Sequence, residues 1–568
     1  MIRLSLSAEN KVGVAFSGNN FYLILQIMRS MASANYDKSV MLWNIPIDEL
    51  DLFLSNNIVK NDVILSTVDL EKNYDDYKNR KEIVDDIKKA KLPSVRFGGF
   101  KCNMMPFQTV GTVFLYNIKK CILADEVGLG KTITSISSSL LIDVDYVLIV
   151  CPAALVDNWI RELSERVSKD CYINVKEYSV LRRKGIYLNP YKKYLIFSYN
   201  MFTKDINDIY ETFKLKKCLV IADEIQYIKN YSAQRTKALI RFSKTATYFY
   251  GLSATYLETG LENLQSIFQV INENIFGKNI YKFYNEYVNM DYMGNIRGYK
   301  NVEKIKNKIY PYVLRRNKEE VLEQLPKRIE LIYWVELSKT EQKRYEEIQD
   351  GIIKEIKEQE RAEKVMQAPN ILSMIQYLQQ ACLHPELVGS QGESSKLKEL
   401  IDIIKSLNDK KILIFCTYIK MVEIINKKLN DSGYSSIYIH GQTKFKKTDI
   451  LDKFQTDPNI RFLVCSEVFR EGLNITAAST VIHFNLLWNP AKIEQRTGRI
   501  DRIGQKSRHI NVIYIVVKNT IEIDIFERVK KRQKLYDDVV NNNFQSNRTM
   551  FLERDNNNKM LEILRKKY

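Results

Sequence analysis

Metal-binding side chains are scarce in this sequence, with only four histidines in the chain and no pair of its eight cysteines spaced as CxxC. A zinc module is hard to assemble from that set. The cysteines Cys102, Cys121, Cys151, Cys171, Cys218, Cys382, Cys416 and Cys465 are expected to be reduced thiols. Five of them (Cys121, Cys151, Cys218, Cys416 and Cys465) lie in or beside strand-like apolar runs, where cysteine behaves as a small hydrophobe. No apolar run approaches the roughly 20 residues of a membrane helix, so no membrane partner is expected. The opening residues MIRLSLSAENKVGVAF are broken by Arg3 and by polar residues from Ser7 to Lys11, unlike the unbroken apolar stretch of a signal peptide. Internal repeats, low-complexity tracts, and nuclease, methyltransferase and zinc-finger patterns are also missing.

What is present is a soluble globular balance, 45% hydrophobic and 27% charged over 568 residues, long enough for about two to four domains. The 86 Lys and Arg outnumber the 68 Asp and Glu, giving a formal charge of +18. Such a surface attracts a polyanion, and counterion release on nucleic acid rewards it. An AT-rich coding genome, which also enriches Lys, Ile, Asn and Tyr, accounts for the same excess, so charge alone leaves both readings open.

Short, fully apolar runs punctuate the chain: Tyr146 to Cys151, Tyr194 to Tyr199, Cys218 to Ala222 and Tyr248 to Leu252, then Ile412 to Cys416, Phe462 to Cys465, Val481 to Phe484 and Val512 to Val517. They lack the alternation of half-exposed strands and read as strands buried on both faces. Helix-like segments such as Ile419 to Leu429 and Thr448 to Phe454 separate them, which predicts parallel sheets with crossover helices. The expected fold is α/β, with two tandem recombinase-like parallel-sheet lobes, helical insertions and a small N-terminal accessory domain. The expected boundaries are 1–96 for the accessory region, with Lys78 to Lys91 as a charged helical linker, and 97–318 for the first lobe. A helical linker (319–394), a second lobe (395–540) and a basic tail (541–568) complete the chain.

The strongest local signal is Ala124-Asp-Glu-Val-Gly-Leu-Gly-Lys131-Thr132, placed between an apolar strand and a helix-like run as a phosphate-binding loop requires. Gly128 and Gly130 let backbone N–H groups approach phosphate oxygens, Lys131 can reach the β and γ phosphates, and Thr132 can hold Mg²⁺. Asp125 stands where the general pattern has its first glycine. The partner motif is Cys218-Leu-Val-Ile-Ala-Asp223-Glu224-Ile-Gln226, an acidic pair ending a buried strand. Asp223 can bind Mg²⁺ and Glu224 can polarise a water that attacks the γ phosphate. Alone, such a pair is usually an exposed helix start; after a phosphate loop it reads as the acidic half of an ATP site. In Glu494-Gln-Arg-Thr-Gly498-Arg499-Ile-Asp-Arg502-Ile-Gly504-Gln505, Arg499 and Arg502 are expected on one helical face, pointing across the interlobe cleft as arginine fingers; the alternative is a basic surface helix.

These elements, in this order, resemble the motifs of the Swi/Snf-type ATPases of helicase superfamily 2, over roughly residues 104 to 540. Met105-Pro-Phe-Gln108 with Gly111 resembles the entry motif, which implies that Gln108 reads adenine. Val150 to Trp159 resembles motif Ia, Ser198-Tyr199 motif Ib, and Leu252-Ser-Ala-Thr255 motif III. The run Val313-Leu-Arg315-Arg316-Asn-Lys318, ending in Leu325-Pro326-Lys327, and the run Leu378 to Pro385 look like hallmarks of this branch. Lys411 to Thr417 resembles motif IV, with Ile439-His440-Gly441 after it, and Ser466 through Asn474 to Ala478 resembles motif V, followed by Trp488-Asn489-Pro490. Gln495 to Gln505 resembles motif VI, with Gln495 on the nucleotide side, and Thr520 to Leu535 resembles the brace helices that return to the first lobe.

The resemblance implies an ATP- and Mg²⁺-dependent motor that tracks double-stranded DNA. Asn158, Ser198 and Thr255 on one lobe, and Thr417, Ser466, Asn474 and Trp488 on the other, are the candidate DNA contacts. Two departures, Gln226 for the usual His and Tyr256 for the usual Pro, imply altered coupling between lobes rather than lost hydrolysis. Ala34 to Asp37, Trp43 to Pro46 and Leu50 to Phe53 are similar to the HARP-type module of annealing helicases, which implies strand annealing and branched or partly unpaired DNA as partner. The other reading of this region is a small α/β domain whose Tyr36 and Trp43 are simply core. Alternatives for the whole chain are a motor that displaces a protein partner such as RNA polymerase, a strand-separating helicase, and a nucleic-acid-binding scaffold without hydrolysis. The intact Lys131, Thr132, Asp223, Glu224, Arg499 and Arg502 argue against the scaffold. An intracellular location is expected, cytoplasmic or nucleoid-associated, or nuclear in a eukaryote.

Overall fold

The computed structural model describes residues 2–8, 11–17, 21–31, 34–37, 41–46, 50–56, 59, 64–66, 82–168, 171–178, 180–188, 193–254, 256, 260–291, 296–321, 327–361, 368–407, 411–443, 447–466, 475–502, 505, 507, 509–540, 564 and 566. The described residues up to Arg316, apart from Glu126–Leu129, form one compact unit, and those from Asn317 onward, with Glu126–Leu129, form a second.

The first unit is built on a seven-stranded sheet, in the order Val313–Leu314, Lys120–Leu123, Tyr248–Leu252, Cys218–Asp223, Tyr146–Cys151, Tyr194–Ser198 and Tyr172–Asn174. Every pairing is parallel. Cys121–Leu123, Val147–Cys151 and Cys218–Ala222 are wholly buried, as strands covered by crossover helices on both faces must be. The same unit holds the N-terminal module, a five-stranded mixed sheet ordered Asn35–Asp37, Leu42–Pro46, Lys11–Phe16, Ile2–Ala8 and Ile64–Ser66. Its core joins Ile2, Leu4, Val12 and Val14 to Ile24 and Met28 of the helix Phe21–Ser30 and to Phe53. Tyr36 lies opposite Trp43 in antiparallel register, with ring centroids 5.5 Å apart. Trp43 packs against the core but Tyr36 is 43% exposed, so the reading of both rings as core holds only for Trp43. Tyr36 sits on the edge strand, where no further strand among the described residues covers it. Residues 82–89 of the expected linker are helical and dock on the large sheet's flank: Tyr310 donates to Asp85 Oδ1 at 2.6 Å, and Lys88 Nζ lies 3.4 Å from the Tyr310 ring centroid.

The second unit carries a six-stranded, all-parallel sheet, ordered Lys327–Val335, His509–Val517, Thr480–His483, Ile412–Phe415, Phe462–Cys465 and Ser436–Ile439. Two parallel-sheet bodies with helical coverings are thus the architecture. The segment expected as a helical linker, 319–394, also contributes the edge strand Lys327–Val335 before its helices Lys339–Arg361 and Ala368–Leu383. Its Arg328 and Glu330 break the apolar run, because an edge strand needs only one covered face. All eight cysteines carry free thiols, six of them buried and Cys102 and Cys171 partly so. Among the described residues no helix is long and apolar enough to cross a membrane.

One buried ion pair locks this second unit. Lys396 Nζ, on the helix Ser395–Ser406, lies 2.6 Å from both carboxylate oxygens of Glu522 in the first turn of the helix Ile521–Val540, and neither side chain is more than 1% exposed. Glu522 also accepts the Val517 N–H at 2.9 Å, and burial pushes its carboxyl up despite the ammonium beside it. Removing one partner strands the other's charge in the core, so Lys396→Met is expected to destabilise by about 3–5 kcal/mol. Lys396→Met/Glu522→Leu should recover most of that loss. The urea midpoints of the three proteins are the check, and a double variant no more stable than the single one would contradict the account.

Candidate nucleotide-binding site

The strand Lys120–Leu123 runs into residues 124–130, and the helix Lys131–Leu141 follows. Gly130 caps that helix with φ 82°, ψ 38°, and Gly128 has φ 96°, left-handed conformations that side-chain-bearing residues rarely take. A Cβ on Gly130 would also stand 2.5 Å from Gln108 Nε2, so a larger residue there would have to displace the Gln108 amide as well as adopt a strained backbone. Lys131 opens the helix and its ammonium donates to the Asp125 carbonyl at 2.7 Å. Thr132 follows in the first turn, half-buried. Gln108, buried in the first turn of the helix Pro106–Ile118, accepts the Met105 N–H at 3.0 Å, so its carbonyl caps its own helix while its amide nitrogen faces Gly130.

Asp223 ends the strand Cys218–Asp223, and the strand Tyr248–Leu252 lies between it and the loop strand. Trp159 Nε1 donates to Asp223 Oδ2 at 2.8 Å, the Glu224 N–H donates to Asp223 Oδ1 at 3.0 Å, and the Tyr199 hydroxyl donates to the Asp223 carbonyl at 2.9 Å. Burial, reinforced by the charge of Glu224, pushes the Asp223 carboxyl up to about 7; the Trp159 bond and the charge of Lys131 act the other way. Glu224 sits at φ 53°, a left-handed turn that swings its side chain off the strand end. There Gln226 Nε2 donates to Glu224 Oε2 at 2.5 Å, while Ser253 Oγ donates to Gln226 Oε1 at 2.7 Å. Gln226, standing where the resemblance has His, therefore bridges the acidic pair to Ser253 at the end of the neighbouring strand. Tyr256 is buried.

Lys131, Thr132, Asp223, Glu224 and Ser253 are thus gathered at the carboxyl ends of neighbouring parallel strands, where α/β sheets place ligands. Asn158 and Ser198 lie at the same end: Asn158 Oδ1 accepts from Arg161 at 2.8 Å, and Ser198 Oγ caps the following helix by accepting the Met201 N–H at 3.3 Å. Thr255 lies outside the described residues, as does Asn474.

In the second unit, Gln495 is half-buried on the helix Pro490–Thr497. Arg499 and Arg502 follow the end of that helix, contrary to the expected helical face. Gly498 N–H still bonds Glu494 O at 2.7 Å, and the chain then tightens, with Arg499 N–H on Arg496 O at 3.2 Å and Ile500 N–H on Thr497 O at 3.1 Å, before Asp501 N–H returns to Thr497 O at 3.2 Å. Arg499 is buried, and Arg502 Nε donates to the Gly498 carbonyl at 2.6 Å. Between them Asp501 accepts Lys318 Nζ at 2.7 Å. Thr417 is held by Asn485 Oδ1 on its N–H at 2.8 Å and by Arg496 Nη2 on its hydroxyl at 3.2 Å, and Ser466 is buried with its N–H on Ile439 O at 3.0 Å. Trp488 packs half-buried on the core, under the Arg528 guanidinium at 5.9 Å.

Sequence reasoning missed the links among these groups. It named Trp159, Arg316 and Lys318 as parts of motifs without seeing that they hold Asp223, Asp125 and Asp501. The signal available for one of them was Asp125 itself, since a carboxylate in a buried loop demands a cation.

The SNF2-related domain matches residues 36–387, more than half of the chain, and the helicase conserved C-terminal domain matches residues 395–504. The chain belongs to the SNF2-related family. An uncharacterized ATP-dependent helicase of Mycoplasma genitalium is 30% identical over 429 residues, covering 73% of this chain and 40% of that protein. The DNA annealing helicase and endonuclease ZRANB3 of Mus musculus is 26% identical over 457 residues, covering 78% of this SNF2-related chain and 41% of its own length. The chain therefore spans less than half the length of either relative. Among solved structures, the Sulfolobus solfataricus SWI2/SNF2 ATPase core in complex with dsDNA is 25% identical, covers 79% of this chain and 95% of its own, and superimposes with a TM-score of 0.37.

Proposed function

We propose that this chain is an ATP-driven motor that tracks double-stranded DNA, with Lys131, Thr132, Asp223 and Glu224 forming its hydrolytic centre. The observation that carries the reading is the convergence of the loop lysine and the acidic pair at one end of the first sheet, in a chain of the SNF2-related family. Lys131 and the amides around Gly128 and Gly130 would hold phosphate oxygens, and Gln108 would face the adenine. Glu224, steadied by Gln226, would take a proton from the attacking water, and Arg499 and Arg502 would meet the charge that develops on the γ phosphate. The donors at hand fit Mg²⁺: a carboxylate on Asp223 and a hydroxyl on Thr132 are hard oxygens, and this ion takes few protein ligands beside phosphates and water. When bound, it would neutralise phosphate charge.

Asn158, Ser198, Thr255, Thr417, Ser466, Asn474 and Trp488, with the basic surface, are the proposed DNA-gripping set. Contacts of this kind fall on phosphates rather than base edges. The annealing reading, with branched or partly unpaired DNA as substrate, draws support from the exposed Tyr36 beside Trp43 and from the similarity to ZRANB3. The decisive test is ATP turnover without nucleic acid and with single-stranded DNA, duplex DNA or RNA, across a salt series. Duplex DNA is expected to stimulate most, with affinity falling steeply with salt and depending weakly on sequence. A triplex strand should be displaced without unwinding of the duplex. Robust separation of a plain duplex, or stimulation by RNA alone, would place the chain among unwinding helicases instead.

A further inference from the structure

The first unit buries an acid–base pair whose partners are far apart in sequence. Asp125 occupies the position where phosphate loops commonly carry their first glycine, and its side chain is fully buried. Arg316, just past the strand Val313–Leu314, meets it with two guanidinium nitrogens: Nε reaches Asp125 Oδ1 at 2.9 Å, and Nη2 pairs with Oδ2. The third nitrogen, Nη1, donates to the carbonyl of Phe107, the residue before Gln108. Gly111, one turn further along that helix, leaves the space for this; a Cβ there would stand 2.9 Å from Arg316 Nη2. The peptide carbonyl of Asp125 is in turn the acceptor of the Lys131 ammonium. The backbone is tied at the same place, with Ala124 N–H on Leu314 O at 2.7 Å.

We infer that Arg316 is a positioning residue for ATP. It holds Asp125, and through the Asp125 peptide the Lys131 ammonium, at a fixed distance from the adenine-side helix that carries Phe107 and Gln108. This rests on the proposed nucleotide site and deepens it. A planar guanidinium can bind a carboxylate through two nitrogens and still donate a third bond to a carbonyl, which an ammonium cannot do in the same geometry. The loop therefore gains from Asp125–Arg316 a rigid link that a glycine at position 125 would not supply. In exchange, neither partner tolerates loss of the other, because either would be left as an unpaired charge in a dry site.

The experiment compares the unsubstituted chain with Arg316→Met, Arg316→Lys, Asp125→Gly and Arg316→Met/Asp125→Gly. ATP affinity is read by equilibrium titration without DNA, KM and kcat for ATP are read with duplex DNA, and a thermal melt is recorded for each. Arg316→Met is expected to weaken ATP affinity by about tenfold or more, the change that accompanies about 1.4 kcal/mol of lost binding. KM should rise more than kcat falls. Arg316→Lys should fall between, because it keeps the charge and loses the fork. The double variant should bind ATP several-fold better than Arg316→Met, since no stranded carboxylate remains and the loop then has its common glycine. A purely structural role would lower the melting temperature of Arg316→Met and Arg316→Lys without separating KM from kcat, and that outcome overturns the inference. Wild-type ATP affinity in Arg316→Met, or a double variant no better than the single one, overturns it as well. If the unsubstituted chain binds no ATP, the nucleotide-site reading fails and this inference with it. Binding that is present and indifferent to Arg316 removes the positioning role alone.

Discussion

Glu224→Gln is expected to bind ATP and to turn it over at a rate lower by about 10²–10⁴-fold, the usual worth of a positioned general base. The substitution is nearly isosteric, and its amide oxygen can still accept the Gln226 Nε2 donor that now meets Glu224 Oε2 at 2.5 Å. The loop, the Asp223 contacts with Trp159 and Tyr199, and the phosphate-holding lysine are untouched. Only the carboxylate proposed to polarise water is gone. Lys131→Ala acts on the other half of the site. It removes the ammonium that caps the Asp125 carbonyl and whose charge opposes the rise of the Asp223 carboxyl. Both ATP affinity and turnover should then fall, in contrast to Glu224→Gln. Phosphate release and ATP titration on the same purified preparations separate the two patterns, and near-normal hydrolysis by Glu224→Gln would overturn the assignment of that residue.

Both sheets were legible because most of their strands are covered on two faces. Tyr146–Cys151, Tyr248–Leu252 and Phe462–Cys465 have the bounds that their apolar runs predict, and the others differ by a few residues at their ends. The strands that composition hides are at the edges. Lys327–Val335 opens with three charges in its first four residues and leaves Ile329 and Trp334 well exposed, while Tyr172–Asn174 is too short to show a pattern. The loop and the acidic pair were legible for a different reason: phosphate chemistry fixes residue types over a few consecutive positions. No comparable local rule links Asp125 to Arg316, which stands 191 residues away, or Ser253 to Gln226, because such contacts are made only when the strands are laid side by side. Motif VI shows the opposite failure. The spacing of Arg499 and Arg502 suggested a helix face, but the regular helix ends at Thr497 and the chain goes on in tighter turns before either arginine. The departures at Gln226 and Tyr256 were noticed as differences, yet only the structure shows that Gln226 has bonds on both sides, to Glu224 and to Ser253.

Arg499→Ala and Arg502→Ala are each expected to lower ATP turnover by a factor on the order of 10³ while sparing ATP affinity, by analogy with other arginine fingers. On the proposed reading their charge matters most as negative charge grows on the γ phosphate, so the loss belongs to the transition state and not to ground-state binding. The surrounding structure makes the two substitutions unequal as controls. Arg502 spends its Nε on the Gly498 carbonyl at 2.6 Å, and the turn between the arginines is held independently by Lys318 Nζ on Asp501 at 2.7 Å and by the Ile475 N–H on the Arg499 carbonyl at 3.0 Å. The backbone of Arg502→Ala should therefore stay in place. Arg499 is 3% exposed, and cutting it back removes packing as well as charge. A thermal melt is thus part of the measurement for Arg499→Ala, with Arg499→Lys as the variant that keeps a cation and more of the volume. For both arginines the deciding quantity is turnover per bound ATP, from single-turnover hydrolysis at saturating nucleotide and duplex DNA. Variants that lose ATP binding while hydrolysing each bound ATP at the normal rate would show that these arginines act on the ground state, and the finger assignment would have to be abandoned.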